Sequence, residues 1–246
     1  VAARELRYAW RDPRRKGSLL IRSVLAIGGP LYLVAKAGHL APEVVLAAAA
    51  VGYLAVLGAF NQFGMDGAAL WTDVVAGDHL RDLLVGKNVA LLVQSVPPVV
   101  VAAGVLAEFS GGWAYVPAAL VLALAGIVVG LAVANVVSVR FAQKVPDNRS
   151  PFGGGAFGTG GAGAGQGCVT GLVLLGCIVL QNLLVAPAAV AIALAATRAP
   201  IALVIVVPVV AAYAALVWRA GLTMAIDWGW WREPELLTAV DPGRSG

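Results

Sequence analysis

Charge is what this sequence has least of. Of its 246 residues only 12% are Asp, Glu, Lys or Arg, while 60% are hydrophobic and the mean hydropathy is +0.87. Soluble domains carry about 25% charged residues, so this balance excludes an ordinary soluble domain. Cysteine is nearly absent, at two residues. Cys168 and Cys177 fall on opposite faces of one helix at about 100° per residue, so they cannot bridge within it and read as small core hydrophobes. The two histidines, His39 and His79, fall on opposite sides of the membrane in the topology set out below, which excludes a shared metal. Catalytic patterns are missing too. No HExxH, no serine nucleophile elbow and no paired acids within an apolar run occur. Gly86-Lys87-Asn88 lacks the Ser/Thr and the upstream glycine of a phosphate-binding loop, since position 81 is Arg. No enzyme activity and no bound cofactor are therefore expected of this chain. Nucleic acid is not an expected partner, because the net charge is only +4 and the basic residues abut an apolar run.

What the sequence does have is long apolar runs. Crossing a hydrocarbon core about 30 Å thick takes roughly 20 residues of helix. Six runs qualify, at 18–37, 42–62, 88–107, 114–138, 168–196 and 200–220. They predict an all-α integral membrane protein with six transmembrane helices. Pro187 leaves the fifth free to tilt, kink, or break into a span and a re-entrant piece. The first run leads straight into further spans and so reads as a span, not a secretory signal. The start at Val1 fits a fragment, a processed chain or an alternative start codon.

Orientation follows from Lys and Arg. With the N-terminus inside, fourteen basic residues lie on the cytoplasmic side. Only Lys36 and Arg198 lie outside, and Arg22 sits within the first span, where it reaches for the headgroups. Both termini are thus expected in the cytoplasm. Residues 1–17 form a basic amphipathic segment, with Arg4, Arg7, Arg11 and Arg14 on one helical face and Leu6 and Trp10 on another. It is expected to lie on the lipid bilayer as an interfacial anchor, each basic residue contributing about 1 kcal/mol at an anionic surface. Residues 18–220 form the transmembrane domain and 221–246 a cytoplasmic tail. The cytoplasmic loop 139–167 is Gly-rich. Its formal GxGxxG at Gly153, Gly155 and Gly158 has no preceding strand and reads as linker. Within the spans, Gln94, Asn135, Gln181 and Asn182 either bond between helices or line a substrate path. Gly126 and Gly130 form a GxxxG in the fourth span.

One polar insert stands apart, Phe63 to Lys87, "FGMDGAALWTDVVAGDHLRDLLVGK". Ala68, Leu70, Trp71, Val74 and Val75 predict a short helix with one apolar side. Asp78 is placed to cap a second, in which Leu80, Leu83 and Leu84 share a face while His79, Arg81 and Asp82 point elsewhere. Gly86 is expected to end that helix and Lys87 to mark the membrane boundary. Mixed charge in so short a turn suits docking to a protein better than to lipid.

At these residues the chain resembles a family. "NQFGMDGAALW" followed by "GDHLRDLLVGKNVA" is similar to the permease subunit of type-2 ABC exporters of bacteria, actinobacteria above all, and "RELRYAWRDPRRK" resembles their interfacial segment. The family often has Pro where this chain has Asp78. The resemblance implies a multi-pass subunit of the bacterial cytoplasmic membrane with a cytoplasmic coupling helix between spans two and three. It implies a partner ATPase subunit that uses ATP and Mg, and a second permease unit, be it a homodimer, a heterodimer or the other half of a longer chain. Coupling would fall to Asp66, Trp71, Asp78, His79, Arg81, Asp82 and Lys87. Two other classes stay open: half of an ion-gradient-driven secondary transporter, which needs an intramembrane acid or a broken helix, and a membrane scaffold that recruits a soluble partner through the same insert.

Overall fold

The structure, a computed structural model, describes residues 1–11, 13–37, 40–66, 70, 79–142 and 164–240. Side chains at 9–10, 13–19, 22, 37, 164–170 and 230–240 fall outside that description. Among the described residues every regular element is helical and none is a strand. The helices are α1 (Ala2–Arg11), α2 (Pro13–Ala37), α3 (Ala49–Leu57), α4 (Gln62–Asp66), α5 (Leu80–Ser110), α6 (Val116–Arg140), α7 (Ala164–Arg198) and α8 (Leu203–Val240). Tight 3-10 turns at Pro42–Ala48, Trp113–Tyr115 and Pro200–Ala202 lead into α3, α6 and α8, two of them with proline in the first turn, where its missing N–H costs nothing.

Among the described residues four stretches are long and apolar enough to cross a membrane: Leu80–Ser110, Trp113–Arg140, Gly171–Arg198 and Pro200–Gly229. They match the last four of the six apolar runs. The first two runs are represented by shorter apolar helices, Ser23–Lys36 and Pro42–Leu57. Such a set of helices is that of a membrane-embedded protein.

α6 is the axis of the bundle. Of its apolar window 67% is buried, against 33% for α5, 22% for α7 and 11% for α8. It is rich in Ala, Val and Gly, so neighbours approach on every side. α8 makes its most extensive contact with α6. There a Cβ added to Gly221 would lie 2.7 Å from the Cβ and the carbonyl oxygen of Ala132, so only hydrogen fits. The outward faces of α7 and α8 are apolar, with Leu183, Val204, Ile205 and Leu216 each more than half exposed. Water would penalise such a surface, whereas lipid does not.

Several expectations change. Gly86 does not end a helix, for α5 runs unbroken from Leu80 to Ser110. Its missing Cβ serves packing instead, since a Cβ there would collide with Val1. α5 ends at Gly111, whose φ of 67° is the left-handed conformation that closes helices and that glycine adopts without strain. α7 passes through Pro187 as one helix of 35 residues, so the fifth run is continuous and not re-entrant. α7 starts at Ala164, inside the stretch read as linker, and α8 carries on past residue 220 to Val240.

The largest difference lies in the second apolar run, read as one span over 42–62. α3 stops at Leu57, residues 58–61 turn, and α4 restarts at Gln62. Ala59, Phe60, Asn61 and Gln62 are all buried, so the interruption is internal. Ser138 of α6 repairs it. Its Oγ accepts from the Gln62 N–H at 3.1 Å and donates to the Ala59 carbonyl at 3.1 Å. Backbone freed inside a bundle needs such partners.

Candidate functional site

The site is built where α1, α4 and the start of α5 meet. Glu5 stands in the first turn of α1, Asp66 closes α4, and Lys87 lies two turns into α5. The Lys87 Nζ donates to Glu5 Oε1 at 2.9 Å and lies 2.7 Å from Asp66 Oδ2. Each side chain is 6–7% exposed. Lys87, expected to mark the membrane boundary, forms an internal bridge. A buried ammonium without counter-charge would cost several kcal/mol, and the two carboxylates offset that cost. Arg4, beside Glu5, is half-buried and holds an interaction of its own.

Gly86 fixes how close α1 comes. With no Cβ at 86, Val1 and the Ala2 backbone rest on α5, and the Glu5 N–H closes the first turn of α1 on the Val1 carbonyl at 3.0 Å. Under this joint lies an apolar cluster of Phe63, Leu70, Leu83, Leu84, Val139 and Leu222. The expected face of Leu80, Leu83 and Leu84 is real, and it points into that cluster. α6 and α8 meet beside it, where the Arg140 guanidinium lies 5.2 Å from the Trp228 ring centroid. Such a pair contributes about 0.5–2 kcal/mol.

His79, Arg81 and Asp82 are exposed on the first turn of α5, next to the buried joint. His79 is the N-cap, in extended conformation (φ −71°, ψ 140°), with no side-chain cap; its carbonyl accepts from the N–H groups of Asp82 and Leu83. Trp71 and Asp78 lie outside the described residues, as do the side chains of Trp10, Arg14 and Arg22. Arg7 and Arg11 are exposed, and Arg7 Nε donates to the Ala3 carbonyl at 3.4 Å. The anticipated arginine face therefore divides, with Arg4 turned inward and Arg7 and Arg11 outward.

The span amides divide as well. Asn182 is exposed, and its Nδ2 donates to the Tyr53 hydroxyl and the Ile178 carbonyl, both at 2.8 Å. It bonds between α7 and α3. Gln181 is fully buried, its Nε2 3.4 Å from the Gly126 carbonyl. Gly130 makes room for it, since a Cβ there would meet Gln181 Nε2 at 2.7 Å and Val56 Cγ1 at 2.6 Å. The GxxxG of α6 is thus occupied by a glutamine from α7. Gln94 is half-buried. Asn135 is fully buried, and neither side-chain atom has a hydrogen-bond partner.

Glu5, Gln62, Asn88 and Ser138 belong to the site but were not picked out as site residues from sequence. Glu5 sits among arginines in a segment read for its positive charge. Asn88 follows a lysine taken as the boundary. Gln62 closes a run that read as one helix. Among the described residues no group of three or more His, Cys, Asp or Glu is arranged to hold a metal.

No family model matches the chain, and no curated protein and no solved structure matches it.

Proposed function

We propose that the chain is the permease subunit of an ATP-driven exporter of the type-2 ABC class. In this reading six spans, with both ends in the cytoplasm, form a substrate path in the bacterial inner membrane. A separate ATPase subunit, using ATP and Mg, docks at the exposed turn around His79, Arg81 and Asp82. A second permease unit completes the path. The observation that carries the reading is Lys87. A load applied at residues 79–82 runs along an unbroken α5 to an ammonium held at 2.9 Å by α1 and 2.7 Å by α4. A surface turn so joined to three elements is suited to passing movement into the bundle, where ligand binding shifts a two-state equilibrium. The Lys and Arg distribution supports the same orientation.

The test is association with a candidate ATPase that bears a phosphate-binding loop. Arg81→Glu together with Asp82→Lys inverts the exposed charges and leaves the buried bridge alone. Loss of co-purification and of ATPase stimulation is the expected result; unchanged association with unchanged stimulation sinks the proposal.

A second reading, an ion-gradient-driven transporter, is favoured by the break at 58–61, because secondary transporters bind substrate at interrupted helices. Proteoliposomes separate the two. Uptake driven by a sodium or proton gradient without the ATPase supports the second, and uptake requiring ATP and the ATPase supports the first.

A further inference from the structure

Among the described residues, three side-chain amides around the interrupted segment have no hydrogen-bond partner. Gln62 is 9% exposed, Asn88 1% and Asn135 0%, and both polar side-chain atoms of each are buried and unpaired. Two contacts hold them to one neighbourhood. The Gln62 N–H bonds Ser138 Oγ at 3.1 Å, and Asn135 lies one turn before Ser138 on the same face of α6. Lys87, the neighbour of Asn88, is 2.7 Å from Asp66, which lies one turn beyond Gln62 in α4. α4, α5 and α6 therefore each bring one amide to within about a turn of a contact that joins them. Along its own helix or turn each amide is flanked by one residue from each of two apolar clusters, Phe63, Leu84 and Val139 in one and Phe60, Leu91 and Ala134 in the other.

Leaving a buried donor or acceptor unsatisfied costs the full desolvation of that group. Six such atoms together would rival the net stability of a whole domain. Something has to meet them, and the chemistry of the site says what. Each amide presents one acceptor oxygen and one donor NH₂. A cation would satisfy the three oxygens and strand the three NH₂ groups, and an anion would do the reverse. Three backbone carbonyls at the break are already engaged: Val56 by the Ala59 N–H, Ala59 by Ser138, and Asn61 by the Met65 N–H. We propose that Gln62, Asn88 and Asn135 form a binding site for a neutral group that both donates and accepts hydrogen bonds, namely water or the hydroxyl or amide of a small uncharged molecule. The site stands whether or not the chain docks an ATPase.

The full chain in lipid nanodiscs, with Cys168→Ala and Cys177→Ala, tests this with single cysteines. Asn88→Cys and Asn135→Cys are compared with Val129→Cys, a 1% exposed position in an apolar cluster. The reagent is a small hydrophilic methanethiosulfonate. A polar-filled site admits the hydrophilic reagent and supports the reacting thiolate, whereas an apolar cluster does neither. Reaction at 88 and 135 is therefore expected about tenfold faster than at 129. Slowing by glycerol or acetamide identifies a site open to hydroxyl or amide ligands; insensitivity to both identifies water. Rates equal to that at 129, or slowing by sodium chloride but not by glycerol, overturn the proposal. Where a cysteine variant fails to fold, radiolytic hydroxyl-radical labelling of the unaltered chain decides. Water at the site oxidises Leu84, one turn before Asn88, well above Leu106, which is as fully buried in a separate apolar cluster, whereas equal labelling of the two overturns the proposal.

Discussion

A lysine at the head of an apolar helix can turn out to the headgroups or turn in to an acid. Lys87 turns in, and it reaches an acid 82 positions earlier in the chain. Removing one member of a buried ion pair costs about 3–5 kcal/mol, because the partner is left charged in a poor solvent. Lys87→Met is therefore expected to lower stability by about that amount. Adding Glu5→Gln and Asp66→Asn should restore part of it, since the lost Lys87 contact then leaves no carboxylate charge behind. Thermal unfolding in detergent is the measurement, and a triple variant no more stable than Lys87→Met would falsify the bridge. Sequence could show that Lys87 began an apolar run. It could not show the bridge, because nothing local to "VGKNV" distinguishes an ammonium that snorkels from one that pairs. Arg4 gave the same difficulty: its spacing from Arg7 and Arg11 was legible, and the side from which its neighbours would approach was not.

At the scale of elements, one hydroxyl holds an interrupted segment together. Ser138→Ala would leave the Ala59 carbonyl and the Gln62 N–H buried without partners, at about 1–3 kcal/mol each. The expected outcome is a lower unfolding midpoint together with faster backbone hydrogen exchange over residues 58–66. Exchange that stays unchanged there counts against the role given to Ser138. A second element prediction concerns α8. Gly221→Leu forces a side chain into the Ala132 backbone, 2.7–2.8 Å from where its Cβ would start. α8 should be displaced from α6, which a disulfide trap between cysteines placed along the two helices would register as lost cross-linking. The helices themselves were legible, because an apolar run of about 20 residues has few other fates. The break at 58–61 was not. "YLAVLGAFNQF" is apolar on both sides of the turn, and what permits the turn is a serine on another helix. Of the tilt, kink or break that Pro187 left open, the structure excludes the break. α7 runs on through Pro187, and nearby the Tyr213 hydroxyl donates to the Leu184 carbonyl at 2.8 Å, tying α8 to α7.

For the whole molecule, burial falls steeply from the central α6 to the outer α7 and α8. The two ends of α6 therefore offer a test of topology. Trp113, at one end, is 57% exposed, and Ser150 follows the other end by ten residues. In a background without Cys168 and Cys177, Trp113→Cys should react with an impermeant thiol reagent added outside the cell, and Ser150→Cys should not. External labelling at 150 overturns the inside-positive orientation. Composition made the helical, membrane-embedded class readable from the outset, and the alternation of Lys and Arg gave the expected orientation. The candidate site was only half legible. Its exposed rim at His79, Arg81 and Asp82 follows from a local pattern, whereas its buried floor is assembled from α1, α4, α5 and α6, far apart in the chain.

The lysine bridge also bears on how the chain is made. Translation delivers Glu5 first, Asp66 second and Lys87 last. When the third apolar segment leaves the ribosome, both carboxylates that will hold its ammonium are already synthesised. The segment thus need not enter lipid with a lone charge, provided that the N-terminal helix has stayed nearby. A variant lacking Glu5 would send Lys87 to the translocon with one acceptor fewer. The first defect would then arise in biogenesis, as a third segment slow to insert, before any mature bundle existed to be weakened.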